Sequence, residues 1–435
     1  MLPAFESADL LSGGFSMVCK SILYSSMIAA AVLGIATSTA IAGPTTYSLL
    51  TTIAVPSDTA NVQPGGAFTS FDISFFDPVT RLDYVADRSN ASVDIFSGAS
   101  LSFVGRATGF TGQQATTSTS GADGVLTVTS GGITTLYAGD GNSTLKVFNV
   151  TNAAAPSLLQ SISTAGSFRV DEMAYSPLTH QVLAANNADA PAFGTLFATT
   201  NGSTPVSIAH TNITMPGAAN TDGLEQPVWD PNTGSFFISV PAFNGDQGGI
   251  AEIKTDGTVG ALTKFASIAG GPATCGSTGL ALGASGNLMV GCGSGQAVLL
   301  HIDPITHIGS VVSLFPQISN TDEIWFDAGL GDFFVTGASG GGRVFDVISD
   351  TTNLILQSVA LGPLGVSNLS NPHSISVDPV SGDVFLPLAG STSAVPNQLC
   401  PLGCIAVFAQ SVPEPATLAL LGVGLAGLGF SRRKQ

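Results

Sequence analysis

The feature that most constrains the fold is an internal repeat. A short turn recurs along the chain: Asp77-Pro78-Val79-Thr80, Ser176-Pro177-Leu178-Thr179, Asp230-Pro231-Asn232-Thr233-Gly234 and Asp378-Pro379-Val380-Ser381-Gly382. In such a turn the first side chain caps, Pro fixes φ at the second position, and Gly ends the reversal. Asp327-Ala328-Gly329 is a degenerate copy, and two copies that lack the marker fall near Val128 and Gly283. With turn positions at 77, 128, 176, 230, 283, 327 and 378, successive gaps are 51, 48, 54, 53, 44 and 51 residues.

Each copy also holds four strand-like runs. In the first these are Ile73–Phe76, Leu82–Ala86, Val93–Phe96 and Leu101–Arg106. In the second they are Leu126–Thr129, Thr135–Ala138, Leu145–Asn149 and Ser157–Ser161. Four short strands at a period of about 40 to 50 residues mark a β-propeller blade. The expected fold is all-β, a seven-bladed propeller over residues 43–411. Six or eight blades are the alternatives, because the second and fifth copies are weak. The seventh copy runs out after its third strand, Cys404 to Ala409, while a strand is spare at the other end, Tyr47 to Val55. That N-terminal strand is expected to complete blade seven and close the ring, which removes an exposed sheet edge. Tyr84-Val85-Ala86-Asp87 followed by Val93-Asp94-Ile95-Phe96 resembles the YVTN and NHL type of propeller, a loose likeness over about residues 45–410.

The two ends carry a different pattern. Residues 1–42 read as a signal peptide: Lys20 is the positive element, Met27 to Ile35 the apolar core, and Ala40-Ile41-Ala42 the cleavage site. Residues 1–16 carry Glu6 and Asp9 and no Lys or Arg, so Met17 is the expected true start. Residues 412–435 hold Val412-Pro413-Glu414-Pro415, an apolar run from Ala416 to Phe430, and Arg432-Arg433-Lys434. The run is slightly short for a bilayer span, and four glycines within it allow close helix packing. The basic cluster would stay on the cytoplasmic side. Motif, span and basic cluster in that order closely resemble the PEP-CTERM sorting signal of Gram-negative bacteria. The resemblance implies processing by the membrane protease-transpeptidase exosortase, a transient inner-membrane anchor, and release to the cell surface or the matrix. It also implies a link to extracellular polysaccharide and biofilm.

Cysteine usage agrees with export. Cys19 leaves with the signal peptide, and Cys275, Cys292, Cys400 and Cys404 remain. An even count in an exported chain suggests disulfides. Of three pairings, Cys275–Cys292 and Cys400–Cys404 are favoured. The first would join neighbouring strands of blade five across the turn at Gly283–Gly286, and the second would clamp the loop before the last strand.

Charge excludes one class of partner. The chain has 12 Lys and Arg against 29 Asp and Glu, a formal net charge of −17. Nucleic-acid binding needs clustered basic residues to neutralise phosphates, so none is expected. No Gly-x-Ser-x-Gly elbow, no His-Glu-x-x-His and no phosphate loop is expected. The five histidines are scattered; His180 and His307 follow turns and read as solvated turn residues.

One positional pattern concentrates charge. The residues five before each turn position are Asp72, Asp123, Asp171, Glu225, Thr278, Asp322 and His373. Five of these seven are acidic in a chain where charged residues make up only 9%. Each sits where the chain reaches an innermost strand, so all should ring one mouth of the central channel. Glu172, Asp222 and Glu323 add charge beside them. Converging carboxylates need a cation or hydrogen-bond donors to offset repulsion. Two readings follow. In one, the acids bind main-chain N–H groups and lock blades together. In the other, Asp72, Asp123, Asp171, Glu225 and Asp322 hold Ca²⁺ or Mg²⁺, the cations that hard oxygen ligands favour.

Trp229 and Trp325 fall on innermost strands, with Phe236, Phe237, Phe333 and Phe334 on the strands that follow. Core packing between blades is the expected role, with sugar stacking the second. The expected function is a binding or scaffold module outside the cell. The alternative is a divalent-metal-dependent hydrolase resembling lactonase-type propellers, with metal-activated water.

Overall fold

The computed structural model describes residues 46–411 apart from 204–205, 208, 216–222, 244–245, 340–341, 367–371 and 392–397. The signal peptide, the Val412-Pro413-Glu414-Pro415 motif and Asp222 lie outside the described residues. Ala42–Glu414 forms one compact unit.

Within it are seven sheets of four antiparallel strands each. The protein is a seven-bladed β-propeller. Its innermost strands are Phe71–Asp77, Val125–Ser130, Met173–Ser176, Pro227–Asp230, Cys275–Leu282, Ile324–Asp327 and Ser376–Val377, from blade one to blade seven. Three short 3₁₀ turns accompany them, and no α-helix occurs among the described residues.

Strand composition follows position within a blade. Second strands are sandwiched between neighbouring blades, so both faces are buried and the sequence reads as a continuous apolar run. Tyr84-Val85-Ala86, Phe236-Phe237-Ile238 and Phe333-Phe334-Val335 are examples, every residue essentially inaccessible. Outermost strands have one wet face and alternate instead, as in Ile355–Ala360. Phe236, Phe237, Phe333 and Phe334 thus take the expected core role. The buried side chains fall into seven clusters, one at each interface between adjacent blades. Fully burying one such side chain contributes about 1.5–3 kcal/mol.

The ring closes as the spare strand requires. Thr46–Ala54 pairs antiparallel with Cys404–Ser411, Tyr47 opposite Gln410 and Ala54 opposite Cys404. Tyr47 then packs edge-on against Phe334 of blade six, with centroids 5.6 Å apart. A cluster containing Phe76 and Phe385 seals blade seven to blade one.

The turn marker works as its chemistry dictates. Oδ1 of Asp77, Asp230 and Asp378 accepts from the N–H two residues on, at 2.8, 2.9 and 3.0 Å. The last turn position is left-handed in every case, held by Gly234, Gly331 and Gly382 but also by Arg81 and His180. Blade two departs from its expected register. Val128 lies inside its innermost strand, and the turn falls at Gly131-Gly132, both at positive φ. Those two glycines form a tight hairpin without Asp or Pro, which is why the marker is missing there.

Both favoured disulfides form. Cys275 and Cys292 join the first two strands of blade five with Cα atoms 4.9 Å apart. They are diagonal neighbours, since Cys275 is opposite Gly295 and Cys292 is opposite Ser277. Cys400–Cys404 clamps the segment before the last strand, with Cα atoms 5.5 Å apart.

Candidate functional site

The residues five before each turn do converge at one end of the innermost strands. Their placement follows from a repeated main-chain pattern. The N–H groups of Asp123, Asp171 and Glu225 donate to Gly139, Ala185 and Ser239 on their own second strands. The returning N–H of each of those residues donates to Gly124, Glu172 and Gln226. That closed pair fixes where each blade delivers its acid.

Two arginines stand among the acids. Arg88 Nη2 donates to Asp72 Oδ2 at 2.5 Å, and its Nε donates to Asp123 Oδ1 at 2.8 Å. Blades one and two are thereby joined. Arg169 pairs with Asp171 Oδ2 at 2.7 Å and donates through Nε to Asn187 at 3.0 Å. His373 of blade seven stacks flat on Phe71 and reaches Asp72 at 3.4 Å. Thr278 Oγ1 donates to the Thr321 carbonyl at 2.8 Å, tying blade five to blade six. Ser374 Oγ meets Glu323 Oε2 at 2.5 Å and accepts from Ser74 N–H at 2.6 Å, which links blades six, seven and one. Gln226 of blade four reaches blades five and six: its Oε1 accepts from Leu280 and Ile324 N–H, and its amide donates to the Ile324 carbonyl.

The arginines were not singled out in the sequence, although a signal exists. The residue 16 beyond Asp72 is Arg88, and the residue 16 beyond Asp171 is Asn187, which donates to it at 2.5 Å. In blades one and three this slot directly follows the second strand, and its side chain reaches the ring. In blades two and four the slot holds Gly139 and Pro241, which offer no side-chain donor. Asp123 borrows Arg88 from blade one. Glu225 has no side-chain donor among the described residues.

Charge is left over on that side. Seven carboxylates, those of Asp72, Asp123, Asp171, Glu172, Glu225, Asp322 and Glu323, share three guanidinium groups, Arg88 and Arg169 among blades one to three and Arg343 beside Asp322. Burial works to raise the Asp72 carboxyl, but Arg88 and Arg169 outweigh it and hold it well below the usual range. The others go the opposite way. Burial pushes Asp171 up to about 7 despite Arg169. Burial, followed by the charges of Asp171, Glu225, Glu323 and Asp322, raises Glu172 well above a normal carboxyl. Glu225 rises through burial and the charges of Asp171 and Asp322.

Asp171, Glu172 and Glu225 each present an oxygen within 4.8 Å of the others. Oxygens bound to one Ca²⁺ at about 2.3–2.6 Å lie at most about 5 Å apart, so a single ion can bridge all three. Asp171 Oδ1 and Glu172 Oε2 are buried and have no hydrogen-bond partner. These three residues fit a hard divalent cation. Of the five acids read as metal ligands in the sequence, Asp171 and Glu225 fall in this cluster, joined by Glu172. Asp72 and Asp123 are held by Arg88. Asp322 acts on Glu172 through its charge.

Outside the ring, His180 meets Tyr175 Oη at 2.9 Å and His307 meets Glu252 at 2.7 Å. Both are turn residues, as expected, but each holds a partner rather than only water. Gly337-Ala338-Ser339-Gly340-Gly341 has the Gly-x-Ser-x-Gly spacing of a nucleophile elbow. Here the flanking strands pair as an antiparallel hairpin, Ser339 opposite Gly342, whereas an elbow joins a strand to a helix.

Residues 411–434 match the family described as the PEP-CTERM protein-sorting motif. The chain therefore carries this sorting motif on a propeller. The motif implies export and passage through the membrane of a Gram-negative bacterium, with processing by exosortase. No curated protein matches the sequence. Among solved structures, the chain resembles the β-propeller domain of Cps50 (Swd1) from Myceliophteria thermophila. The TM-score is 0.58 at 11% identity, covering 84% of this chain and all of that one. It also resembles U3-55K, with a TM-score of 0.52 at 9% identity, covering 78% of this chain and 95% of that one. Identities this low show a common fold alone.

Proposed function

We propose that this protein is a binding module, cut from its tail by exosortase and displayed at the cell surface or in the extracellular matrix. Its ligand site is the acidic channel mouth, where Ca²⁺ or Mg²⁺ joins Asp171, Glu172 and Glu225. The signal peptide at residues 1–42 and the tail at 412–435 flank the working domain. The observation that carries this reading is the buried, unpartnered pair Asp171 Oδ1 and Glu172 Oε2 beside Glu225. Buried anionic oxygens without a donor are costly, and a bound cation is the direct remedy. The same mouth divides its labour. Asp72 and Asp123 with Arg88 lock blades one and two, while the carboxylates of blades three and four stay available.

The test is a thermal melt in Ca²⁺, Mg²⁺ or EDTA, on wild type and on Glu225→Gln. A cation at a hundred times its Kd stabilises the folded state by about 2.7 kcal/mol. A cation-dependent rise in Tm that the variant lacks supports the site. Equal melting in Ca²⁺ and EDTA overturns it. Polysaccharide binding without turnover marks a scaffold, whereas metal-dependent hydrolysis of a lactone panel marks a lactonase-like enzyme.

A further inference from the structure

Below the acidic mouth the channel widens into a cavity of about 680 Å³. Small-molecule sites typically enclose about 300–1,000 Å³. Ile73, Met173, Leu280, Ile324, Trp229 and Trp325 from five blades line its wall. Glu172 and Glu323 line its acidic end, and each is almost fully buried. At the other end its lining reaches Pro78, Val79 and Pro177 in the turns. Val79 is 67% exposed there, so the lining runs out to the surface. Leu178 and Val380 hold the same turn position in blades three and seven and are 72% and 65% exposed. The approach to the cavity and its wall are thus mainly apolar; Asp77 at the turn end is engaged by Val79 N–H and Thr129 Oγ1, and the remaining carboxyl groups, Glu172 and Glu323, sit at the far end.

That end is short of positive charge whether or not a metal is bound: burial, followed by the charge of Asp322, holds the Glu323 carboxyl well above its usual range, and an ammonium beside it would draw it into the charged form. A divalent ion at Asp171, Glu172 and Glu225 brings the positive charges to five, with Arg88, Arg169 and Arg343, against seven carboxylates. Protonated His373 would bring them to six. Arg343 lies beside Asp322, whereas Glu323, which accepts from the Ser374 hydroxyl, faces the cavity. A neutral apolar occupant would leave this excess uncompensated, and an anion would add to it.

We infer that the channel binds a compact apolar molecule bearing one positively charged amine, its body between Trp229 and Trp325 and its ammonium at Glu323. The inference does not depend on the metal, because the charge excess survives both states. The exposed Val79, Leu178 and Val380 rim provides the way in for an apolar body. Specificity comes from the single charged contact at depth, and affinity from the wall.

The two cavity tryptophans are the only ones in the chain, so intrinsic fluorescence reports on this channel directly. The experiment titrates the full chain with 4-phenylbutylamine, 4-phenylbutan-1-ol and 4-phenylbutyrate, in EDTA and again in Ca²⁺. The amine is expected to bind about tenfold more tightly than the alcohol, the scale of one charged hydrogen bond. The carboxylate is expected to bind weakest, and the ranking should hold in both buffers. Glu323→Gln should bring the amine close to the alcohol while the alcohol itself is unchanged, which also reports that the variant is folded. An amine no tighter than the alcohol, a carboxylate that matches the amine, or no fluorescence response to any of the three overturns the inference. The wild-type ranking decides the matter even if the variant does not fold. Because the ranking is read in EDTA as well, failure of the metal site leaves it standing, and its own failure leaves the metal site untouched.

Discussion

Removing Arg88 should cost more than removing any other single charge in this protein. Its guanidinium is almost fully buried and serves Asp72 and Asp123, and Asp123 is itself inaccessible to solvent. Taking away one member of a buried ion pair costs about 3–5 kcal/mol, because the other charge is stranded. Arg88→Met keeps most of the side-chain volume and removes the charge, so packing loss adds little. At roughly 2 °C per kcal/mol for a chain of this size, Tm should fall by about 6–10 °C. The loss is not uniform across partners. Adding Asp123→Asn to Arg88→Met removes the stranded carboxylate and should recover at least about 1 kcal/mol. The assay is differential scanning calorimetry at pH 7 on wild type, both singles and the double. A fall below about 2 °C, or a double mutant no more stable than Arg88→Met, would refute the reading of Arg88 as an interblade lock.

Three further outcomes follow from the packing. Asp83 is buried at the junction of blades one and seven, where burial raises its carboxyl to about 7 although Ser376 and the Tyr84 N–H offset this in part. Its folded pKa lies above its unfolded value, so it favours folding below about pH 4 and that contribution disappears by about pH 7, at most about 4 kcal/mol. Asp83→Asn should therefore raise urea-unfolding stability at pH 8 and flatten its fall between pH 4 and 7; an unchanged pH profile contradicts this. Breaking Cys275–Cys292, which spans 17 residues, should cost about 3 kcal/mol, against about 2 for the four-residue Cys400–Cys404 span; urea unfolding of the two paired Cys→Ser variants checks the order. Asp378→Ala removes a turn cap and the Arg81 partner that bridges blades seven and one at 2.5 Å. Because Arg81 is partly exposed, the ion pair adds little, and the expected loss of about 1–2 kcal/mol comes from the cap.

Much of the fold was legible because its signals are local and repeated. The Asp-Pro turns specify their own hydrogen bonds, and the apolar second strands announce burial on both faces. The spare Tyr47–Val55 run was legible only by bookkeeping, since its partner Cys404–Ser411 lies more than 350 residues away. Blade two slipped because Gly131-Gly132 makes its turn with glycine alone. The ring of acids was legible as a position, since backbone pairing delivers each one identically. Its division was not. Arg169 is a single residue outside the repeat, the slot Arg88 fills holds an arginine in blade one alone, and a long side chain from one blade can satisfy a carboxylate on the next. Nor did spacing reveal that Glu172, one residue past the ring, would complete a cluster with Asp171 and Glu225. Trp229 and Trp325 take the expected packing role, Trp229 within the cluster between blades three and four and Trp325 against two interblade clusters, and both also line the channel. A strand period of two puts alternate residues on opposite faces, but it does not say which face looks into an open channel.

The most direct measurement of the central claim is bound-metal stoichiometry by equilibrium dialysis against Ca²⁺. The wild-type protein should retain a single ion, and Asp72→Asn should retain it as well, since Asp72 belongs to the Arg88 lock. The double variant Glu172→Gln/Glu225→Gln should retain none. A wild-type protein that binds no cation, or a double variant that binds as much as wild type, would contradict the account of the channel mouth.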